Sequence, residues 1–133
     1  MSEIKAGSYV DTAAVAPRAD GTLEALEVLV FPESMQGAGE GHRPWDLQPQ
    51  STMTNATVDA FTSSAVGRIL TLKYKDGEKT MSIPLTAPIV TFKPADSSLL
   101  VRGAKVIVTA ELRDGKPPAL RILAGRNGFA PPM

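Results

Sequence analysis

Apolar and polar residues alternate through most of this chain, in short runs that Gly, Pro or Asp-Gly pairs cut off. A period of two with such punctuation is the signature of half-buried β-strands. Residues 69–75, ILTLKYK, carry it most clearly. Leu70, Leu72 and Tyr74 fall on one side, and Thr71, Lys73 and Lys75 on the other. Asp76-Gly77 then offers the positive backbone dihedral that a tight hairpin needs, and residues 79–83 return with Met81 and Ile83 on the apolar side. The same reading predicts strands over 4–16, 23–31, 56–63, 89–93, 104–112 and 119–124. Within 23–31, LEALEVLV also suits a short helix, since Leu, Glu and Ala favour one. The Asp20-Gly21 turn ahead of it and its Val-rich end favour strand, with Leu26, Val28 and Val30 sharing a face. In 104–112, Val106, Val108 and Ala110 share one.

Two parts of this pattern match each other. Gly7-Ser8-Tyr9-Val10 aligns with Gly103-Ala104-Lys105-Val106, Asp20-Gly21 with Asp114-Gly115, and residues 25–29 with 119–123. The register slips by two at the turn, as a hairpin loop tolerates. The expectation is an all-β protein: a small OB-like or SH3-like barrel over 56–125, with an additional N-terminal β-hairpin from a partial repeat. The domain reading is a partial β repeat over 1–32, a Gly/Pro-rich connecting loop over 33–55, the complete OB-like barrel over 56–125, and a flexible tail over 126–133. A lone two-stranded hairpin is marginal in water, so 1–32 needs something to pair with. That leads to the expectation of a homodimer by β-edge pairing.

Composition narrows the chemistry. The 133 residues hold 14 basic and 14 acidic side chains, so no net charge draws the chain to nucleic acid or anionic lipid. A nucleic-acid partner is therefore not expected. With no Cys, disulfides, thiolate metal sites and a Cys nucleophile are excluded. No apolar run approaches the ~18–20 residues that span a bilayer as a helix, so membrane insertion is not expected. The opening residues MSEIKAGSYV lack a basic segment followed by an apolar one, so no signal peptide is expected in them.

The unusual stretch is 33–55, ESMQGAGEGHRPWDLQPQSTMTN, which holds the only Trp and the only His. Its candidates for partner or ligand binding are Arg43, Trp45 and His42. Trp45 could act as a stacking platform or anchor; equally it could plug a barrel end and pin the loop. A lone His without an orienting carboxylate and nucleophile is weak as a general base. Metal ligands could come from Glu40, His42 and Asp46, with Glu33 nearby, but the spacing fits neither a calcium loop nor a zinc signature. No cofactor and no catalytic residue is expected.

The segments GEGHRPWDL (39–47), STMTNATV (51–58), DGTLEALEVLVFPESM (20–35) and LTLKYKDGEKT (70–80), with the terminal Pro-Pro-Met, resemble a group of uncharacterised bacterial proteins. Those proteins are usually exported and carry tandem OB-like β domains of unknown function. The resemblance spans nearly the whole chain and implies a periplasmic or secreted location; the chain's own opening residues leave a cytoplasmic one open. Set against the family pattern, the resemblance implies that these residues start inside the first domain. No activity comes with the resemblance. The function expected is a non-catalytic binding or assembly module for a protein partner, using the 33–55 loop and exposed sheet edges. The alternative is a ligand-binding barrel for nucleic acid, a sugar or a metal ion.

Overall fold

The hairpin of residues 67–84 is the seed of the architecture. A computed structural model describes residues 4–111, 114–115 and 119–131. Nine strands follow in order: β1 (Tyr9–Ala14), β2 (Leu23–Val30), β3 (Gly41–Pro44), β4 (Thr52–Ser64), β5 (Gly67–Tyr74), β6 (Gly77–Pro84), β7 (Ile89–Thr91), β8 (Val106–Ala110) and β9 (Ala119–Ala124). Two compact units result, Met1–Phe92 and Lys93–Met133.

The first unit is a closed five-stranded barrel with extra strands. Hydrogen bonding runs β1-β2-β6-β5-β4 and returns from β4 to β1. Every neighbour in the ring is antiparallel except β2 and β6, which are parallel through Leu23–Met81 and Glu24–Ser82. Read from β4, the ring is β4-β5-β6-β2-β1. That is the strand order of an OB barrel whose last two ring strands come first in the chain. Inward side chains fill it: Val10, Ala14, Leu23, Ala25, Val28, Ala56, Val58, Leu70, Leu72, Met81 and Ile83, with Ile4 from the segment before β1. Each fully buried Val, Leu, Ile or Met contributes about 1.5–3 kcal/mol from area removed from water. This core is why the ring closes.

Two register shifts shape the barrel. One lies between Ala13 and Ala14 opposite β2, the other between Val58 and Ala60 in β4. The first corrects the expected face of 23–31. An extra residue, Leu26, sits between paired Glu27 and Ala25, so Ala25 and Val28 both point inward and Leu26 is half-buried. β7 extends the line of β6 along β2, pairing Val28–Ile89, Leu29–Val90 and Val30–Thr91.

Three expectations are corrected. The barrel is not the segment 56–125. It is closed by β1 and β2, because these supply five of the core side chains and pair with both open edges of β4–β6. Residues 33–55 are not one loop either. They contain a 3-10 turn (Glu33–Met35), β3, and the first four residues of β4. β4 runs 13 residues, longer than β5 can cover; the N–H and C=O groups that β5 leaves at 52–55 are taken by β3, through Gly41–Asn55 to Pro44–Thr52. The N-terminal hairpin, finally, is part of the barrel wall and not an added element.

The second unit contains a 3-10 turn (Ser97–Leu99), whose start is capped by Asp96 Oδ1 accepting from the Ser98 N–H at 2.8 Å, and a two-stranded antiparallel sheet, β8–β9. Residue 112 of the predicted strand lies outside the described residues, as do 132 and 133 of the predicted tail. Residues 126–129 close a turn, with the Phe129 N–H donating to Arg126 O.

Candidate functional site

The barrel's outer face at β1 and β2 should be solvated in a small antiparallel barrel. Instead Tyr9, Asp11, Ala13, Glu27 and Leu29 are all buried there. The segment 36–43 passes over part of it as a strap, fixed by polar contacts. Tyr9 Oη and Asn55 Nδ2 both donate to Ala38 O, each at 3.1 Å. Arg43 Nη1 donates to Gly39 O at 2.9 Å, and its Nη2 reaches Met53 Sδ at 3.3 Å and Asn55 Oδ1 at 3.5 Å. A Cβ on Gly39 would lie 3.1 Å from Asn55 Nδ2, and its φ is +61°, so the strap passes close only because that position is Gly.

Two carboxylates are buried on this face. Asp11 is 7% exposed and Glu27 4%. Asp11 stands opposite Asn55 on β4 and Leu29 on β2, and Glu27 stands opposite Ala13. Asp11 Oδ1 and Glu27 Oε1 have no hydrogen-bond partner among the described residues. Burial pushes the Asp11 carboxyl up to about 7, against the pull of the Arg43 charge. Burial, and then the Asp11 charge, push Glu27 up to about 7 as well. Burial, with Glu40 and Asp11, raises the Tyr9 phenol to about 12. Titratable groups displaced this far are where function concentrates, although closed surroundings produce the same effect. Proton storage is what this pair can do chemically.

A second polar group lies on the other face of β4. His42 is opposite Thr54, and its Nδ1 is 2.8 Å from Thr54 Oγ1. Its ring stacks on Tyr74 with centroids 6.3 Å apart. Thr54 is fully buried and its carbonyl accepts from Thr12 Oγ1 at 3.3 Å. Burial, then Lys79, lower the His42 pKa, so the imidazole is held neutral. This contact joins β3 to the barrel; a hydroxyl as buried as that of Thr54 is closed to a substrate.

The remaining candidates are dispersed. Glu40 Oε1 accepts from the Lys75 N–H at 3.0 Å and ties the strap to the β5–β6 turn. Asp46 is exposed and Trp45 half-buried. The Trp45 N–H donates to Ser51 O at 2.9 Å, and Ser51 Oγ lies 2.9 Å from Trp45 O and 2.8 Å from Gln48 O, closing the turn 45–51. Glu33, Glu40, His42 and Asp46 do not converge: among the described residues no three His, Asp or Glu side chains are placed to hold a metal ion. Of the expected residues, Arg43 alone acts on a buried carboxylate, that of Asp11. A shallow cleft of about 280 Å³ lies beside it, lined by Lys5, Ser8, Tyr9, Phe31 and Gln36 among others, without Asp11 or Glu27.

Sequence reasoning overlooked Asp11, Glu27, Tyr9, Asn55 and Thr54. A signal was present for Asp11, the single acid of YVDTAAVA; Glu27 shares LEALEVLV with Glu24, which pairs with Arg18 at the surface, so the run did not single it out. A strand with few polar positions is covered on both faces, so its lone acid has to be buried.

No family model, curated protein or solved structure matches this chain. Among the described residues no helix is long and apolar enough to cross a membrane.

Proposed function

We propose that this chain is a non-catalytic assembly module whose partner is protein, and that a second copy of the chain serves as that partner through β-edge pairing. The observation that carries the reading is β8–β9. Its two strands pair only with each other among the described residues, and Val106, Val108 and Ile122 are 42%, 51% and 42% exposed. A two-stranded ribbon with an open apolar face and unpaired edges gains most by adding strands. Half-buried Trp45 and exposed Leu47, in the 45–51 turn, add a second contact of the kind that anchors interfaces. An exported or envelope location fits such a module.

Sedimentation velocity across the micromolar range tests this. Association that rises with concentration is expected, lost in Val108→Asp and weakened in Trp45→Ala, with unchanged melting temperatures in both. A wild-type chain that stays monomeric throughout, and whose variants behave identically, overturns the reading. The ligand-binding alternative draws on the cleft beside Tyr9 and Lys5, whose volume falls just under the usual range for small-molecule sites, about 300–1,000 Å³.

A further inference from the structure

The two hairpins of this chain agree in more than sequence. β1–β2 pairs Val10–Val30, Asp11–Leu29, Thr12–Val28 and Ala13–Glu27, then shifts register before Ala14–Ala25. β8–β9 pairs Val106–Ala124, Ile107–Leu123, Val108–Ile122 and Thr109–Arg121, then shifts before Ala110–Ala119. Adding 96 to the first strand and 94 to the second converts one ladder into the other, pair by pair, bulge included. Flanking backbone bonds convert the same way. Ser8 N–H to Lys5 O becomes Ala104 N–H to Val101 O, Phe31 to Tyr9 becomes Gly125 to Lys105, and Met35 to Pro32 becomes Phe129 to Arg126. Gly7 and Gly103 have φ of +86° and +87°. Ten residues separate the last matched pair in the first hairpin, Ala14 and Ala25, and eight in the second, Ala110 and Ala119, so an identical turn does not impose this register.

The inward face converts too. Val10, Thr12, Ala14, Ala25, Val28 and Val30, which face the barrel interior, correspond to Val106, Val108, Ala110, Ala119, Ile122 and Ala124: apolar throughout and close in total volume. The chain thus has one three-stranded half-barrel, β4–β5–β6, and two hairpins shaped to close it. In an unpermuted OB ring the closing hairpin follows the first three strands, the chain position of β8–β9 and not of β1–β2.

We propose that β8–β9 is a second closing hairpin for this barrel, fitting the place between β4 and β6 that β1–β2 holds, and that it exchanges with β1–β2 within one chain. β8 then pairs with β4 as β1 does, and β9 with β7 as Val28–Val30 of β2 do; at the β6 edge Leu23 and Glu24 correspond to Pro117 and Pro118, which carry carbonyls but no N–H. Residues 92–105 join β7 to β8 and reach up to about 45 Å when extended, many times the strand spacing of ~4.8 Å. The exchange alters the outer face: Ile107 replaces Asp11 and Arg121 replaces Glu27, so the two carboxylates with unpartnered oxygens leave the covered face. The displaced β1–β2 is then the hairpin available to a partner. This goes beyond the assembly reading and does not depend on it.

The absence of Cys makes disulfide trapping a clean test. Val58 N–H donates to Ser8 O, so by alternation Ala13 and Met53 form a non-hydrogen-bonded pair, the antiparallel position that suits a disulfide. Ala13→Cys/Met53→Cys reports closure by β1–β2, and Thr109→Cys/Met53→Cys reports closure by β8–β9. In a glutathione buffer both should form an intramolecular disulfide in a monomer. Val28→Asp, which unseats β1–β2, should speed trapping of the second pair by roughly tenfold or more, and Val108→Asp should abolish it. If the second pair stays reduced in wild-type and Val28→Asp backgrounds while the first oxidises, the proposal is overturned. A disulfide-linked dimer overturns the within-chain exchange and assigns the slot to a second copy.

Discussion

Replacing Asp11 by Asn removes one ionisable group from under the strap and nearly preserves its shape. The Asp11 carboxyl has a pKa near 3.8 when solvated and about 7 in the fold. At 1.36 kcal/mol per pH unit, that displacement is worth about 4 kcal/mol between the two protonation states. The folded state holds its proton up to about pH 7, whereas the unfolded chain releases it near pH 4. The contribution is thus fully present below pH 4, falls as pH rises toward 7, and is gone above it. Glu27, displaced the same way, keeps part of the slope, and the two titrate as a coupled pair. His42 acts oppositely: its lowered pKa costs stability as pH falls below about 6.5. Comparing wild type with Asp11→Asn at each pH cancels that term. Urea unfolding at pH 5, 6, 7 and 8 should show the variant gaining on wild type as pH rises, by about 2.6 kcal/mol between pH 5 and pH 8, with an unchanged m-value. A difference that is constant with pH, or that grows toward acid, would refute the reasoning.

Three further outcomes follow from packing. Leu72 is fully buried in the barrel, so Leu72→Ala should lower stability by about 2–5 kcal/mol in chemical denaturation. Gly67, at φ +151°, would place a Cβ 2.5 Å from the Ile83 carbonyl oxygen; Gly67→Ala should cost at least about 1–3 kcal/mol from backbone strain and loosen hydrogen-exchange protection at the start of β5 and the end of β6. Arg43→Ala releases Gly39 O and Asn55 Oδ1 and leaves Asp11 without its nearby cation. It should destabilise by about 1–3 kcal/mol, more at pH 8 than at pH 5, seen in paired thermal melts.

The sequence by itself determined most of the strands, though not β3 or the start of β4. Alternation in 67–84, Asp-Gly turns and Val-rich runs are local, because side-chain direction along a strand repeats every two residues whatever the strand packs on. The all-β class followed, as did the inward side chains Leu70, Leu72, Met81 and Ile83. Which hairpin closes the barrel was not local. β1–β2 and β8–β9 carry nearly the same inward pattern, so composition could not choose between them; pairing with the edges of β4 and β6 did. The site was hidden for the same reason. Asp11, Glu27, Arg43 and Asn55 are scattered over 45 positions, and nothing in their spacing places them together. Only a sheet that closes on itself brings two acids from neighbouring strands to one buried face, with an arginine from the strap near Asp11, and takes the water away from both.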